Sequence, residues 1–165
     1  MKTLLILRHA KSSWDNDQLA DFDRPLNKRG RRQAPQMGQL LTEQGLGIDL
    51  VVSSTARRAR ETAEAVMAAS GFDGEVRYSK AFYEAPPVTY LASLNALSDD
   101  YDCVLVVGHN PGLQALVALL TGRDEAFPTA ALAQIALPID SWSAFGVATR
   151  GRLVNLWRPS ELGGE

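Results

Sequence analysis

The sequence predicts one three-layer α/β/α domain spanning residues 1–165, and three observations carry that prediction. Short continuous apolar runs, of the kind buried on both faces of a parallel sheet, alternate with segments whose apolar residues recur at helical spacing. The two most apolar runs, Leu4-Leu5-Ile6-Leu7 and Cys103-Val104-Leu105-Val106-Val107, each lead directly into a histidine loop. A chain of 165 residues with 45% apolar and 22% charged residues has globular proportions and enough length for a real core.

The first strand is the run from Leu4 to Leu7, closing in Arg8-His9. Residues 12–23 then read as a polar and aromatic loop in which Trp14 and Phe22 are available to cover something. Asn27 is a plausible N-cap for a helix carrying Ala34, Met37, Leu40 and Leu41 at helical spacing, with Gly45 as its C′ residue. Pro35 inside that pattern predicts a kink, or a helix that starts near it. A second strand is expected over 48–52, with Ser53-Ser54-Thr55 capping a helix whose inner face holds Ala59, Ala63, Val66 and Met67, and which ends at Gly71. A short strand over 75–78, a loop over 81–87 and a helix opened by Pro87 with Leu91, Leu94 and Leu97 inward come next. The strand over 102–107 ends in Gly108-His109-Asn110-Pro111-Gly112, and Pro111 starts a helix with Leu113, Leu116, Val117 and Leu120 on one face. Two further strands are expected over 131–137 and 152–157, with a turn at 142–145 between them and a frayed tail over 162–165.

Composition narrows the function classes. The net charge of -2 argues against a nucleic-acid binder built on a basic face. The basic residues do cluster, as Arg24, Lys28, Arg29, Arg31 and Arg32 and again as Arg57, Arg58 and Arg60, which suits a small anionic target or a solvated helix face. Two histidines, one cysteine and no tight carboxylate group leave little material for a metal site, and nothing calls for a cofactor. Cys103 cannot form an internal disulfide and reads as inert packing. No apolar stretch reaches the roughly 18 residues of a membrane span, and no leader pattern opens the chain, so a cytoplasmic protein without a membrane partner is the expectation.

In open α/β sheets, chemistry collects at the carboxyl ends of the strands. His9 and His109 each follow a buried strand there, and Arg58 enters a helix from a third. Two guanidinium groups, two imidazoles and a helix N-terminus around one crevice suit phosphate: guanidinium grips phosphoryl oxygens in a fork, and imidazole can attack phosphorus. The alternative, two separate and incidental histidines, turns on the strand order, which the spacing leaves open.

Arg8-His9-Ala10 resembles the Arg-His-Gly signature of the histidine phosphatase superfamily, which includes the phosphoglycerate mutases. Together with Lys11-Ser12-Ser13-Trp14, Asp23-Arg24-Pro25-Leu26-Asn27, Arg29-Gly30, the Ser53-to-Ala63 pattern S-S-x-x-x-R-A-x-x-T-A and Gly108-His109-Asn110-Pro111-Gly112, it is similar to the small SixA-type branch of phosphohistidine phosphatases. The resemblance runs from the first strand to the last. It implies a mostly parallel six-stranded sheet with one antiparallel strand, His9 as nucleophile, Arg8 and Arg58 as phosphoryl clamps, and His109 as the second imidazole of the pocket. Arg57 is expected to be solvated.

This chain departs from the mutase-like members at Ala10 and Asp15, where they carry Gly and Asn. Asp15 near a phosphate is repulsive unless protonated or turned towards a basic residue, which weakens any phosphoglycerate-type contact at that position. Ser12 and Asp15 are candidate substrate contacts. Glu84 occupies the loop where larger relatives carry a general acid, and it is either a proton donor or an ordinary surface Glu. The loop over 79–87 is too short for a mutase-like lid, which suggests an open mouth. The expected substrate is a phosphorylated protein, phosphohistidine above all. A small phosphate ester is the first alternative and a non-catalytic phosphate-binding module the second.

Overall fold

The computed structural model describes residues 1–162, so the tail expected to fray lies mostly outside the described residues. Six strands form one sheet in the order β3-β2-β4-β1-β5-β6. They are β1 Lys2–Arg8, β2 Leu50–Ser54, β3 Glu75–Ser79, β4 Cys103–Gly108, β5 Leu132–Leu137 and β6 Arg152–Trp157. β1, β2, β3 and β4 pair in parallel, while β5 is antiparallel to both β1 and β6, so it is the one reversed strand.

Four helices cover the sheet: α1 Lys28–Glu43, α2 Arg57–Ser70, α3 Pro87–Asn95 and α4 Gly112–Thr121. Alternation along each buried strand sends successive side chains to opposite faces. Leu5, Leu7, Val51, Leu105 and Val107 pack with Met37, Leu41, Ala63 and Val66 of α1 and α2. Leu4, Ile6, Val52, Val104 and Val106 pack with Leu91, Leu94, Leu113 and Leu116 of α3 and α4. The three layers follow from those two faces. No helix among the described residues is long and apolar enough to cross a membrane.

Local chemistry explains most boundaries. The Asn27 side chain accepts the Gly30 N–H at 2.9 Å and caps α1. At the other end, the N–H groups of Gly45 and Leu46 reach the carbonyls of Thr42 and Leu41, with Gly45 at φ 67°, a left-handed stop that glycine adopts without strain. Pro35 does not start the helix: α1 is helical on both sides of it. The carbonyl that Pro35 leaves without a partner is that of exposed Arg31, where water can satisfy it. β2 begins two residues later than expected, because the Asp49 carboxylate accepts the N–H groups of Asp102 and Cys103 ahead of the ladder. Ser53 and Ser54 are strand residues, not caps; α2 is capped at Ala56 without a side chain. Met67 is only half-buried, and Leu97 lies past the end of α3. Cys103 is half-buried, and burial, with Asp49 and Asp102, pushes its thiol up to about 12.

Two close approaches set the loops at the sheet's carboxyl edge. A Cβ on Gly30 would run into the Lys11 carbonyl, and one on Gly112 into the Ala85 carbonyl. The loops after β1 and β3 are thereby seated on α1 and α4. We expect Gly112→Ala to lower stability by roughly 1–3 kcal/mol, the usual cost of overpacking, while Gly47→Ala, facing open space, is near neutral; chemical denaturation with equal slopes for both variants checks the difference.

Candidate active site

The sheet order brings the predicted residues together. β1 and β4 are neighbours in parallel register with Arg8 opposite Gly108, so His9 and His109 leave adjacent strands at the same level. Their ring centroids lie 5.2 Å apart. β2 flanks β4 on the other side with Ser53 opposite Val107, which sets Ser54 and the start of α2 beside His109. Gly108 is obligatory here: a Cβ would strike the Tyr90 hydroxyl, which accepts the His109 N–H at 3.4 Å.

His9 is 6% exposed. Its backbone N–H donates to the Gly108 carbonyl at 3.1 Å, and the Ala10 N–H donates to the Thr62 hydroxyl at 3.0 Å. The ring is therefore held between β4 and α2. Its Nδ1 lies 2.7 Å from the Ala10 carbonyl. A carbonyl only accepts, so Nδ1 carries the proton and Nε2 keeps a free lone pair. Burial pushes this imidazole down to about 3; the Ala10 bond opposes that, and His109, Arg58 and Arg8 add to it. His109 is 4% exposed, with Nε2 2.8 Å from the Ser54 hydroxyl. Burial and Arg58 hold it down to about 4, Asp21 working in the opposite sense. Both rings are thus neutral bases at pH 7.

The guanidinium groups are tethered but not saturated. Arg8 Nη1 donates to the Phe127 carbonyl at 3.2 Å. Arg58 Nη1 and Nη2 donate to the Asp21 carbonyl at 2.7 Å and to Asp21 Oδ2 at 3.0 Å. Burial, and Arg58 nearby, lower the pKa of Arg8 from its ordinary value. Among the described residues, the buried polar side-chain atoms without a partner include Arg8 Nε, Arg58 Nε and His109 Nδ1. Three orphaned nitrogens in one site, two of them certain donors, are chemistry that suits an anion.

Sequence reasoning missed Asp21 and Tyr83. Asp21, in a 3₁₀ turn at Asp21–Asp23, accepts from Arg58, from Arg24 Nε at 3.1 Å and from the Tyr83 hydroxyl at 2.5 Å. Partial burial raises its pKa, but the bond from Tyr83 and the charge of Arg58 outweigh that and hold the carboxyl at about 2. Tyr83 in turn stands edge-on to His109 and to Phe22 at centroid distances of 5.5 and 5.1 Å. The short loop over 79–87 thus does not leave one side of the mouth open, because Tyr83 spans it to the loop after β1. Phe22 and Trp14 each cover something: Phe22 packs on Tyr83, and the Trp14 ring, itself 71% exposed, has its centroid 3.4 Å from the guanidinium of buried Arg24.

The remaining predicted residues stand apart from this knot. Ser12 and Asp15 line a cavity of about 490 Å³ together with Lys11, Lys28, Arg29 and Arg32. Glu84 is exposed, in a left-handed conformation at φ 55°, and has no hydrogen bond to either imidazole or guanidinium. Arg57 is half-solvated and pairs with Glu61 at 3.0 Å. Among the described residues, no three His, Cys, Asp or Glu side chains stand together as a metal-ligand set.

The chain belongs to the histidine phosphatase superfamily (branch 1), whose family profile matches residues 4–86. The uncharacterized Mycobacterium tuberculosis protein Rv1276c is 39% identical over 138 residues, covering 77% of this chain and 84% of its own. A candidate phosphohistidine phosphatase SixA of Agrobacterium tumefaciens superimposes with a TM-score of 0.83 at 31% identity, covering 96% of this chain and 98% of that one. The protein histidine phosphatase SixA solved with tungstate gives the same TM-score, 0.83, at 26% identity and 97% and 99% coverage.

Both imidazoles titrate near 6.5 in an unfolded chain, so below that pH the unfolded state takes up protons that the folded site refuses. Folding stability is then full above pH 6.5 and falls as the pH drops through 6.5 towards 4 and 3. We expect imidazole ¹⁵N spectra to show His9 and His109 neutral at pH 5.5; a midpoint near 6.5 for either ring would contradict the burial.

Proposed function

We propose that this chain is a metal-independent phosphatase that works through a phosphoryl group carried on His9, with protein phosphohistidine as its favoured substrate. The observation that carries the reading is the set of unpartnered Nε atoms of Arg8 and Arg58 beside two neutral, buried imidazoles. In the first step His9 Nε2 gives its lone pair to phosphorus and the bond from phosphorus to the substrate's nitrogen or oxygen breaks, the leaving group keeping that electron pair. A departing imidazole is basic enough to take a proton from solvent, so Glu84 is not needed for it; an alkoxide would need a donor. In the second step water attacks phosphorus, the P–N bond breaks, and His9 returns neutral with phosphate and a proton released. Arg8 and Arg58 stabilise the charge on the equatorial oxygens, the task a metal ion performs elsewhere.

Two features favour a protein substrate: the likeness to the SixA structures over nearly the whole of both chains, and a loop over 79–87 with no inserted lid. Ser12 and Asp15 would meet the substrate beyond the phosphoryl group, from the basic cavity they share with Lys11 and Lys28. One observation favours a small phosphate ester instead. With His9 and Arg58 each 6% exposed and Tyr83 bonded across to Asp21, only a slender group reaches the nucleophile.

An intermediate trapped on wild-type protein should be acid-labile and alkali-stable, and His9→Ala should abolish it while leaving the circular dichroism spectrum unchanged; substantial turnover by that variant would sink the assignment. Arg8→Ala and Arg58→Ala should each slow turnover by roughly 10²–10³, the usual cost of one positioned charge-stabilising donor, and EDTA should change nothing. For substrate class, kcat/KM on a phosphohistidine protein should exceed that on common sugar phosphates, mainly through KM, with Asp15→Asn narrowing the gap. Micromolar KM for a metabolite with no action on phosphohistidine proteins would favour the small-ester reading.

A further inference from the structure

We infer that Ser54 is a positioning residue that sets the tautomer of His109: its hydroxyl donates to Nε2, which leaves the ring proton on Nδ1 as a donor to the phosphoryl group. The inference rests on the phosphoryl site proposed above for its consequence, though not for its geometry.

The hydrogen-bond inventory decides the direction of the Ser54–His109 bond. Ser54 is fully buried, and its oxygen already accepts the Ala56 N–H at 3.1 Å. A serine hydroxyl has one proton to give and two lone pairs to fill. Among the described residues, the one acceptor within reach of that proton is His109 Nε2, at 2.8 Å. If Nε2 carried the ring proton instead, Ser54 would accept twice and its own hydroxyl proton would be buried with no acceptor. The orphaned Nδ1 would then present a lone pair to the pocket that Arg8 and Arg58 hold for an anion, and lone pair would meet oxygen. With Ser54 donating, the Ser54 hydroxyl and His109 Nε2 are both satisfied, and the ring's one loose end is an Nδ1–H that a phosphoryl oxygen completes. The other contacts of the ring do not oppose this: Tyr83 meets it edge-on and His9 lies at 5.2 Å, and neither hydrogen-bonds it.

The arrangement pairs two imidazoles with the same tautomer and opposite tasks. The Ala10 carbonyl keeps the His9 proton on Nδ1 by accepting from it, which frees Nε2 for attack. Ser54 keeps the His109 proton on Nδ1 by donating to Nε2, which leaves an N–H for binding. It also explains why a polar residue, Ser54, sits fully buried at the end of β2.

Imidazole ¹⁵N–¹H correlation spectra of the wild-type protein at pH 7 test the assignment without any variant. The expected result is His109 protonated at Nδ1 and bare at Nε2, and a proton on Nε2 would overturn it. Ser54→Ala should then release His109 into a mixture of tautomers, weaken tungstate binding, and lower kcat by about 10–100-fold, by analogy with the hydrogen-bond partners of metal-bound imidazoles. Ser54→Thr, which keeps the hydroxyl, should restore both the spectrum and the rate. A folded Ser54→Ala protein with the wild-type tautomer, tungstate affinity and kcat would also overturn the inference. If Ser54→Ala does not fold, the wild-type spectrum decides. Absence of turnover by the wild type would sink the phosphatase reading and leave the tautomer result standing.

Discussion

The parallel pairing of β1 with β4 is the constraint on which the rest of the site depends. The ladder puts Arg8 level with Gly108, and one residue further along each strand is a histidine. Hydrogen bonds of the sheet, repeated over six residue pairs, hold that level far more firmly than any side-chain contact could. A slip of one residue would turn Leu4, Leu5, Ile6 and Leu7 to the wrong faces, so the two hydrophobic clusters enforce the register that the chemistry uses. Packing and positioning are here the same requirement.

Charge is managed by distance from water. Two guanidinium groups and two imidazoles share a buried space, and the imidazoles yield by staying neutral, since neither Arg can. That neutrality is what leaves a lone pair on His9. Asp21 supplies the counter-charge, gripping Arg58 by both its terminal nitrogens and leaving Nε unpaired. Asp21 thus orients the cation without saturating it.

What could be read from the sequence was what is local. The apolar runs before His9 and His109, the Asn27 cap and the Gly45 stop announce themselves within a few residues. So does the pattern ending in Thr62 and Ala63, although only the structure shows that Thr62 is there to hold the Ala10 N–H. Ser54 reads as a helix cap in the sequence because a buried polar residue at a strand's end looks like a loop residue until its partner, 55 positions away, is known. Asp21 and Tyr83 carried no signal at all. Their bond spans 62 residues, and no periodicity or cap chemistry points from one to the other. The small loop after β3 was legible as short, and shortness suggested an opening; one tyrosine reaching across changed what that length means.

The Asp21 knot also decides which part of the molecule is least durable. Arg58 stands in the first turn of α2, but its terminal nitrogens are held by a 3₁₀ turn of three residues in a loop with no ladder hydrogen bonds to a neighbouring strand beyond the single Ser12–Leu26 bridge. Such segments open at far smaller free energies than a sheet does. A fluctuation that lifts this loop frees Arg58, removes the partner of Tyr83 and uncovers His109 together, while both hydrophobic clusters remain intact. The assembled arrangement of Arg58, Tyr83 and His109 can therefore be lost by local opening of residues 12–24 while the domain stays folded.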